Sequence, residues 1–133
     1  MLQSFSQPSS RIGLFLKYWG PVFLYCGIIF YLSSQSHPGR HFPSFLFGLS
    51  DKLVHAVEYG ILGILLFRAF HYNTRTIASI SLAIICALAF GLSDEFHQWF
   101  VPHRQADLWD VLADTLGATS FIGAWVFLKK KFG

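Results

Sequence analysis

The sequence predicts an all-α fold, a polytopic membrane protein in which four transmembrane helices form a compact bundle with both termini cytoplasmic. Hydrophobic residues make up 53% of the chain, and the mean hydropathy is +0.47. Four apolar stretches each approach the ~20 residues that a helix needs to cross the hydrocarbon core of a bilayer. A chain of 133 residues leaves no room beside them for a soluble domain, so residues 1–133 are predicted to form a single transmembrane domain.

These stretches are predicted to be helical because a segment inside the bilayer must satisfy its own backbone hydrogen bonds. The predicted helices span residues 14–32, 53–70, 77–93 and 111–128. Arg11 and Lys17 precede the first stretch, as in a signal peptide, but no A-x-A cleavage site follows it, which favours a retained helix.

Small residues recur every four positions along the third helix, a pattern that lets a neighbouring helix pack closely. They are Ser79, Ala83, Ala87 and Gly91. This stripe predicts a close helix contact and no chemistry.

The distribution of Lys and Arg predicts the orientation, because these residues are normally in excess on the cytoplasmic side. One set of helix ends carries Arg11, Lys17, Arg68, Arg75, Lys129, Lys130 and Lys131, and the other carries Arg40, Lys52 and Arg104. The links after the first and third helices are therefore predicted to face outward.

The net charge of +3 does not indicate nucleic acid as a partner, because most of the basic residues flank apolar stretches, where membrane topology already explains them. Cys26 and Cys86 lie inside apolar runs and form no C-x-x-C pair. A disulfide framework and a thiolate metal site are therefore not expected.

All seven acidic residues lie at the predicted outward ends of the helices. They form three clusters, Asp51 with Glu58, Asp94 with Glu95, and Asp107 with Asp110 and Asp114. At 100° per residue, Asp51, His55 and Glu58 lie within about 60° of one another on the second helix. Asp94 shares a face with His97 and Gln98, and the third cluster has i, i+3 and i+7 spacing. Three polar stripes at one depth are predicted to converge into a pocket.

Asp51 and Asp107 are interpreted as structural, because carboxylates at helix starts serve as caps and are favoured by the helix dipole. The other ionisable residues are functional candidates, since burying charge in a membrane is costly. The predicted catalytic residues are His55, Glu58, Asp94 and Glu95. The predicted substrate-binding residues are Gln98, Arg104, Asp110 and Asp114.

The excess of acidic side chains in this pocket has three explanations. Carboxylates with His55 could hold a hard divalent cation such as Mg²⁺ or Mn²⁺, although no metal ligands are assigned. A pair such as Glu58 and Glu95 could share a proton and act as general acid and base. The pocket could instead hold a polar headgroup. For Arg104, an ion pair with Asp107 or Glu95 competes with a contact to an anionic group of a ligand.

Three segments within residues 51–118, a stretch of about half the chain, resemble the VanZ-like family of small bacterial membrane proteins. They are DKLVHAVEYGILG at 51–63, SDEFHQ at 93–98 continuing to FVPHR at 100–104, and DVLADTLGA at 110–118. SSQ at 33–35 also fits the family pattern. Two positions depart from it, since His103 stands where glycine is common and Asp114 where asparagine is common.

The resemblance implies a multi-pass protein of the bacterial inner membrane, in a family whose best-known member lowers sensitivity to teicoplanin. It supplies no settled reaction. We therefore expect the pocket to bind or modify a polar envelope lipid or a lipid-linked precursor, as a metal-dependent or acid–base hydrolase or transferase. The alternative is a non-enzymatic shielding or partner protein whose polar residues are structural, and an ion or proton carrier ranks last because the acids lie on one side.

Overall fold

The computed structural model describes residues 10–36 and 51–133, except for the side chain of Asp51. All regular secondary structure in these two ranges is helical, in the order α1 (Arg11–Ser33), α2 (Asp51–His71), α3 (Thr76–Gln98) and α4 (Leu108–Phe132). Each helix is long and apolar enough to cross a membrane. The predicted all-α fold with four membrane-length helices is therefore confirmed, whereas the cytoplasmic placement of the termini stays a prediction.

Every helix extends beyond the limits predicted from hydropathy. At the pocket end, α3 runs to Gln98 instead of residue 93 and α4 begins at Leu108 instead of residue 111, and at its other end α4 runs to Phe132 instead of residue 128. The predicted limits stopped where apolar residues stop. In the structure Asp94, Glu95 and Asp110 continue the helices. Asp94 bonds Gln98 one turn later in α3, whereas polar groups of other elements bond Glu95 and Asp110.

Helix α2 contacts all three other helices and packs most extensively on α4. A Cβ atom added at Gly117 of α4 would lie 2.0 Å from the carbonyl oxygen of Ala56 of α2, and one at Gly63 would lie 3.0 Å from the Cα of Ala118. The two backbones are therefore almost in contact, as small residues permit in membrane proteins.

The small-residue stripe of α3 is confirmed as a packing face, because Ser79, Ala83 and Ala87 are fully buried and Gly91 is buried with them. A Cβ atom at Gly91 would lie 3.1 Å from the Asp114 carboxylate and 3.5 Å from the Tyr59 ring. The stripe thus brings α3 against both α2 and α4 directly below the acidic residues. Large apolar side chains such as Ile77, Ile85 and Leu116 remain exposed, as expected for helices that face lipid.

The turn between α3 and α4 contains an unusual backbone conformation at His103, whose φ is 62°. This left-handed region suits glycine, because a Cβ atom makes it unfavourable. The geometry explains why glycine is common at this position in the family that the sequence resembles. It also sets the direction in which Arg104 leaves the turn.

We expect His103→Gly and His103→Asn to keep the thermal stability of the protein, because both residues tolerate the left-handed conformation. His103→Val should lose about 1–2 kcal/mol, because a β-branched residue is strained there. The melting temperatures of the three variants in detergent micelles check this. Equal losses in all three would show that the imidazole, and not the backbone conformation, is what matters.

Candidate functional site

Polar side chains gather at the end of the bundle where α2 and α4 begin and α3 ends. Most of the acidic and amide groups there are almost completely buried. The buried members are His55, Asp94, Glu95, Gln98, Asp110 and Asp114, with relative exposures between 1% and 8%. We call this group, together with Lys52, Glu58 and Arg104, the acidic pocket. The three polar stripes predicted from helical spacing do lie together.

Lys52 connects the start of α2 to the start of α4. Its ammonium group donates to Asp107 Oδ2 at 2.6 Å and also to Asp110 Oδ1. Asp107 caps α4, because its other oxygen accepts from the Trp109 N–H at 2.9 Å. The Lys52 ammonium first, and then the Trp109 N–H, hold the pKa of Asp107 below its ordinary value. The capping role interpreted for Asp107 is confirmed, whereas the side chain of Asp51 lies outside the described residues.

His55 lies between two carboxylates of α4. Its Nδ1 is 2.9 Å from Asp114 Oδ1, a buried hydrogen bond, and its Nε2 is 3.8 Å from Asp110 Oδ2. When Asp114 is ionised its carboxylate can only accept, so Nδ1 then carries the ring proton and donates a hydrogen bond to Asp114. This bond fixes the orientation of the imidazole ring and directs Nε2 toward Asp110.

Glu95 faces the same space from α3. Its Oε2 accepts from the backbone N–H of Asp107 at 2.8 Å, while its buried Oε1 has no hydrogen-bond partner among the described residues. Asp94 accepts from Gln98 Nε2 at 3.2 Å through Oδ2, and its Oδ1 is likewise buried and unpartnered within that part of the chain. Buried acceptors without partners are rare, and at such sites they often mark a ligand or ion.

Glu58 is half-buried at the side of the pocket, where it interacts electrostatically with His55, Asp94 and Arg104.

Arg104 differs from expectation in its ion pairing. It makes no ion pair with any described residue, and its Nε is buried without a partner among them. The predicted ion pair of Arg104 with Asp107 or Glu95 is therefore wrong, because Lys52 and a backbone N–H already occupy these acids.

A pocket of about 500 Å³ lies next to this guanidinium, lined by Trp99, Arg104, Gln105 and Ala106. It offers space for a ligand at the level of the turn between α3 and α4. An arginine with its fork of donors at such a place suits a phosphate or carboxylate group.

Three residues of this region were not among the predicted site residues. Lys52 enters the sequence analysis only as a basic residue at a helix end. Tyr59 is fully buried, and its hydroxyl has no hydrogen-bond partner among the described residues. The buried Ser33 of α1 lies beside Asp94. Tyr59 follows His55 by four residues and so shares its helix face, a signal that the sequence already contained. His97, by contrast, bonds Ser34, the residue that caps the end of α1, at 2.9 Å and so attaches α1 to α3.

Residues of three helices form a candidate ligand set for a metal ion. His55, Glu95 and Asp110, all buried, each offer a ligand atom, and these atoms lie within 4.8 Å of one another. A nitrogen with two carboxylate oxygens is a donor set that divalent cations accept.

Comparison with known proteins shows the family of the chain. The sequence model of the VanZ/LLP1 family matches residues 15–129, nearly the whole sequence. An uncharacterized protein of Schizosaccharomyces pombe is 28% identical over 71 residues, which cover 53% of this chain and 43% of that protein. The chain thus aligns with less than half the length of this relative. No solved structure matches the sequence.

Proposed function

The chain belongs to the VanZ/LLP1 family, and on this basis we propose that it is a multi-pass protein of the bacterial inner membrane whose acidic pocket binds or modifies a polar envelope lipid or lipid-linked precursor. The observation that carries this proposal is the position of Arg104. Its buried Nε lacks a partner among the described residues, and it borders both the 500 Å³ pocket and the acidic side chains.

The position of the site supports a lipid as the ligand. The residues around the turn, Phe96, Trp99, Phe100 and Trp109, are strongly exposed, and such aromatic rings are typical of the membrane–water interface. A lipid headgroup in the neighbouring bilayer lies at the same depth. Arg104 would bind its anionic group, while acidic side chains reach a hydroxyl, an amine or a cation on it.

The chemistry that fits this arrangement is hydrolysis or group transfer at the headgroup. Asp94 and Glu95 each have a buried oxygen without a hydrogen-bond partner in the described ranges, and a general acid or base must have an atom that can reach the substrate. His55 and Glu58 are the other two proposed catalytic residues. Gln98 holds Asp94 in place. A changed surface lipid would alter sensitivity to teicoplanin, the phenotype that the resemblance implies.

Glu95→Gln is expected to abolish the change that the wild-type protein makes in the membrane lipids, because the amide keeps the shape but loses the acid–base function. The measurement is mass spectrometry of lipids and lipid-linked precursors from cells with wild type, no protein or the variant. Teicoplanin sensitivity is measured in parallel. Asp107→Asn is the matched control, because it also removes one negative charge but asparagine is an equally good helix cap. Lipids that respond equally to wild type and Glu95→Gln would contradict a catalytic role of Glu95.

A second candidate function is non-enzymatic, with the protein shielding surface lipids or binding a membrane partner. The bonds from Lys52 to α4 and from Glu95 to Asp107 favour it, because they join α2, α3 and α4 as structural groups would. In that case Glu95→Gln should reduce the amount of folded protein in the membrane. A normally expressed variant that has lost only its effect on lipids would exclude this candidate.

A further inference from the structure

We propose that His55, Glu95 and Asp110 bind one divalent transition-metal cation of the Mn²⁺ type inside the acidic pocket. The inference concerns the same pocket as the proposed function and names an ion that would act there, but its test needs no lipid substrate. The site combines residues of α2, α3 and α4 that are far apart in the sequence.

The geometry suits one ion. Ligand atoms lie about 2.0–2.3 Å from ions of this size, so two atoms on opposite sides of an ion are roughly 4–4.6 Å apart. The three ligand atoms of this site lie within 4.8 Å of one another, so only a small inward movement of the side chains is required. All three residues are buried, as is typical of sites that exclude bulk water.

Each of the three side chains is already held by a second group. Asp114 accepts from His55 Nδ1, Lys52 binds Asp110 Oδ1, and the Asp107 N–H donates to Glu95 Oε2. The candidate ligand atoms are one ring nitrogen of His55 and one carboxylate oxygen each of Asp110 and Glu95. Metal-binding histidines and carboxylates are generally oriented by such outer hydrogen bonds.

An independent observation points to a ligand. Glu95 Oε1 is buried and has no hydrogen-bond partner among the described residues, and the same holds for Asp114 Oδ2 next to the site. The acidic side chains of the pocket also outnumber its two cationic ones, Lys52 and Arg104. Such an excess of negative charge is costly in a membrane, and a divalent cation would offset it.

The combination of one imidazole nitrogen and two carboxylate oxygens indicates which kind of ion binds. Mg²⁺ and Ca²⁺ prefer oxygen ligands alone, whereas ions that accept imidazole nitrogen together with carboxylate oxygen are transition metals. With two carboxylates to one imidazole, Mn²⁺ is the best match and also a convenient spectroscopic probe.

The test is titration of the chelator-treated protein with MnCl₂ in phosphatidylcholine nanodiscs, followed by electron paramagnetic resonance. We expect a single site in the wild-type protein, with spin-echo modulation from a coordinated imidazole nitrogen. His55→Gln should abolish this modulation, and Glu95→Gln or Asp110→Asn should weaken binding at least about tenfold. Circular dichroism and gel filtration verify that each variant is folded.

Two matched controls keep the test specific. His103→Asn removes a histidine of the turn between α3 and α4 that is outside the ligand set, and His71→Ala removes a histidine at the opposite end of α2. Both should bind Mn²⁺ like the wild type. Absence of binding to the folded wild type, or binding without nitrogen modulation, would overturn the inference. Mn²⁺ binding without any change of membrane lipids in cells would instead support the metal site and refute lipid modification as the function of the pocket.

Discussion

Gly117→Ala is expected to prevent the normal packing of α4 on α2 and to cost about 3 kcal/mol or more of stability. The added Cβ atom would lie 2.0 Å from the carbonyl oxygen of Ala56 and 2.6 Å from its Cα and carbonyl carbon. These are backbone atoms, so no side-chain rotation can relieve the overlap and the helices must separate. The separation would also move Asp114 away from His55. The yield of folded protein and its melting temperature in detergent measure the effect.

Gly123→Ala is the matched control on the same helix. No atom lies within 4 Å of a Cβ added there, and alanine is favoured over glycine in a helix by about 1 kcal/mol. This variant should therefore be as stable as the wild type or slightly more stable. Equal melting temperatures of the two alanine variants would show that α2 and α4 do not approach each other as described.

Lys52→Met is expected to destabilise the pocket end of the bundle by about 2 kcal/mol, because it leaves Asp110 with its Oδ1 unpaired. Asp110 has a side-chain exposure of only 7%, whereas Lys52 is 44% exposed, so solvent screening reduces the loss below that of a fully buried pair. The measurement is thermal unfolding in detergent micelles at several pH values.

The pH dependence has a definite sign. Lys52 is the main cause of the lowered pKa of Asp107, and a carboxyl with a lowered pKa contributes stability above its unfolded-state pKa that is lost as pH falls through the folded-state value. The wild type should therefore lose part of its advantage over Lys52→Met at acidic pH. Lys52→Arg keeps the charge and should stay close to the wild type, and Lys130→Met, at the exposed end of α4, controls for loss of a positive charge. A Lys52→Met protein as stable as Lys130→Met at neutral pH would contradict this interpretation.

The helices and the convergence of the polar stripes could be predicted from the sequence because both depend on local periodicity. Hydropathy and length define a membrane helix, and a rotation of 100° per residue places His55 and Glu58 on one face. The helix ends could not be predicted in the same way. Glu95 continues α3 and binds the Asp107 N–H, and Asp110 continues α4 and binds Lys52. A local pattern contains no information about such distant partners.

The lack of information about distant partners also explains why the sequence did not show the contacts of Arg104 and Lys52. The sequence shows Arg104 beside acidic residues, which suggested an ion pair, but the acids bond to Lys52 and to a backbone N–H instead. Lys52 looked like an ordinary residue of the membrane interface because its partners, Asp107 and Asp110, follow 55 and 58 residues later. The functional roles of the site residues remain predictions that the experiments above address.

The long sequence separation within the pocket has a consequence for how the protein is made. Helix α2 is synthesised and enters the membrane well before α4, which supplies the partners of both Lys52 and His55. Until the last helix is inserted, the Lys52 ammonium and the His55 imidazole lack their carboxylate partners from α4. Insertion of α4 is therefore the step that completes the acidic pocket.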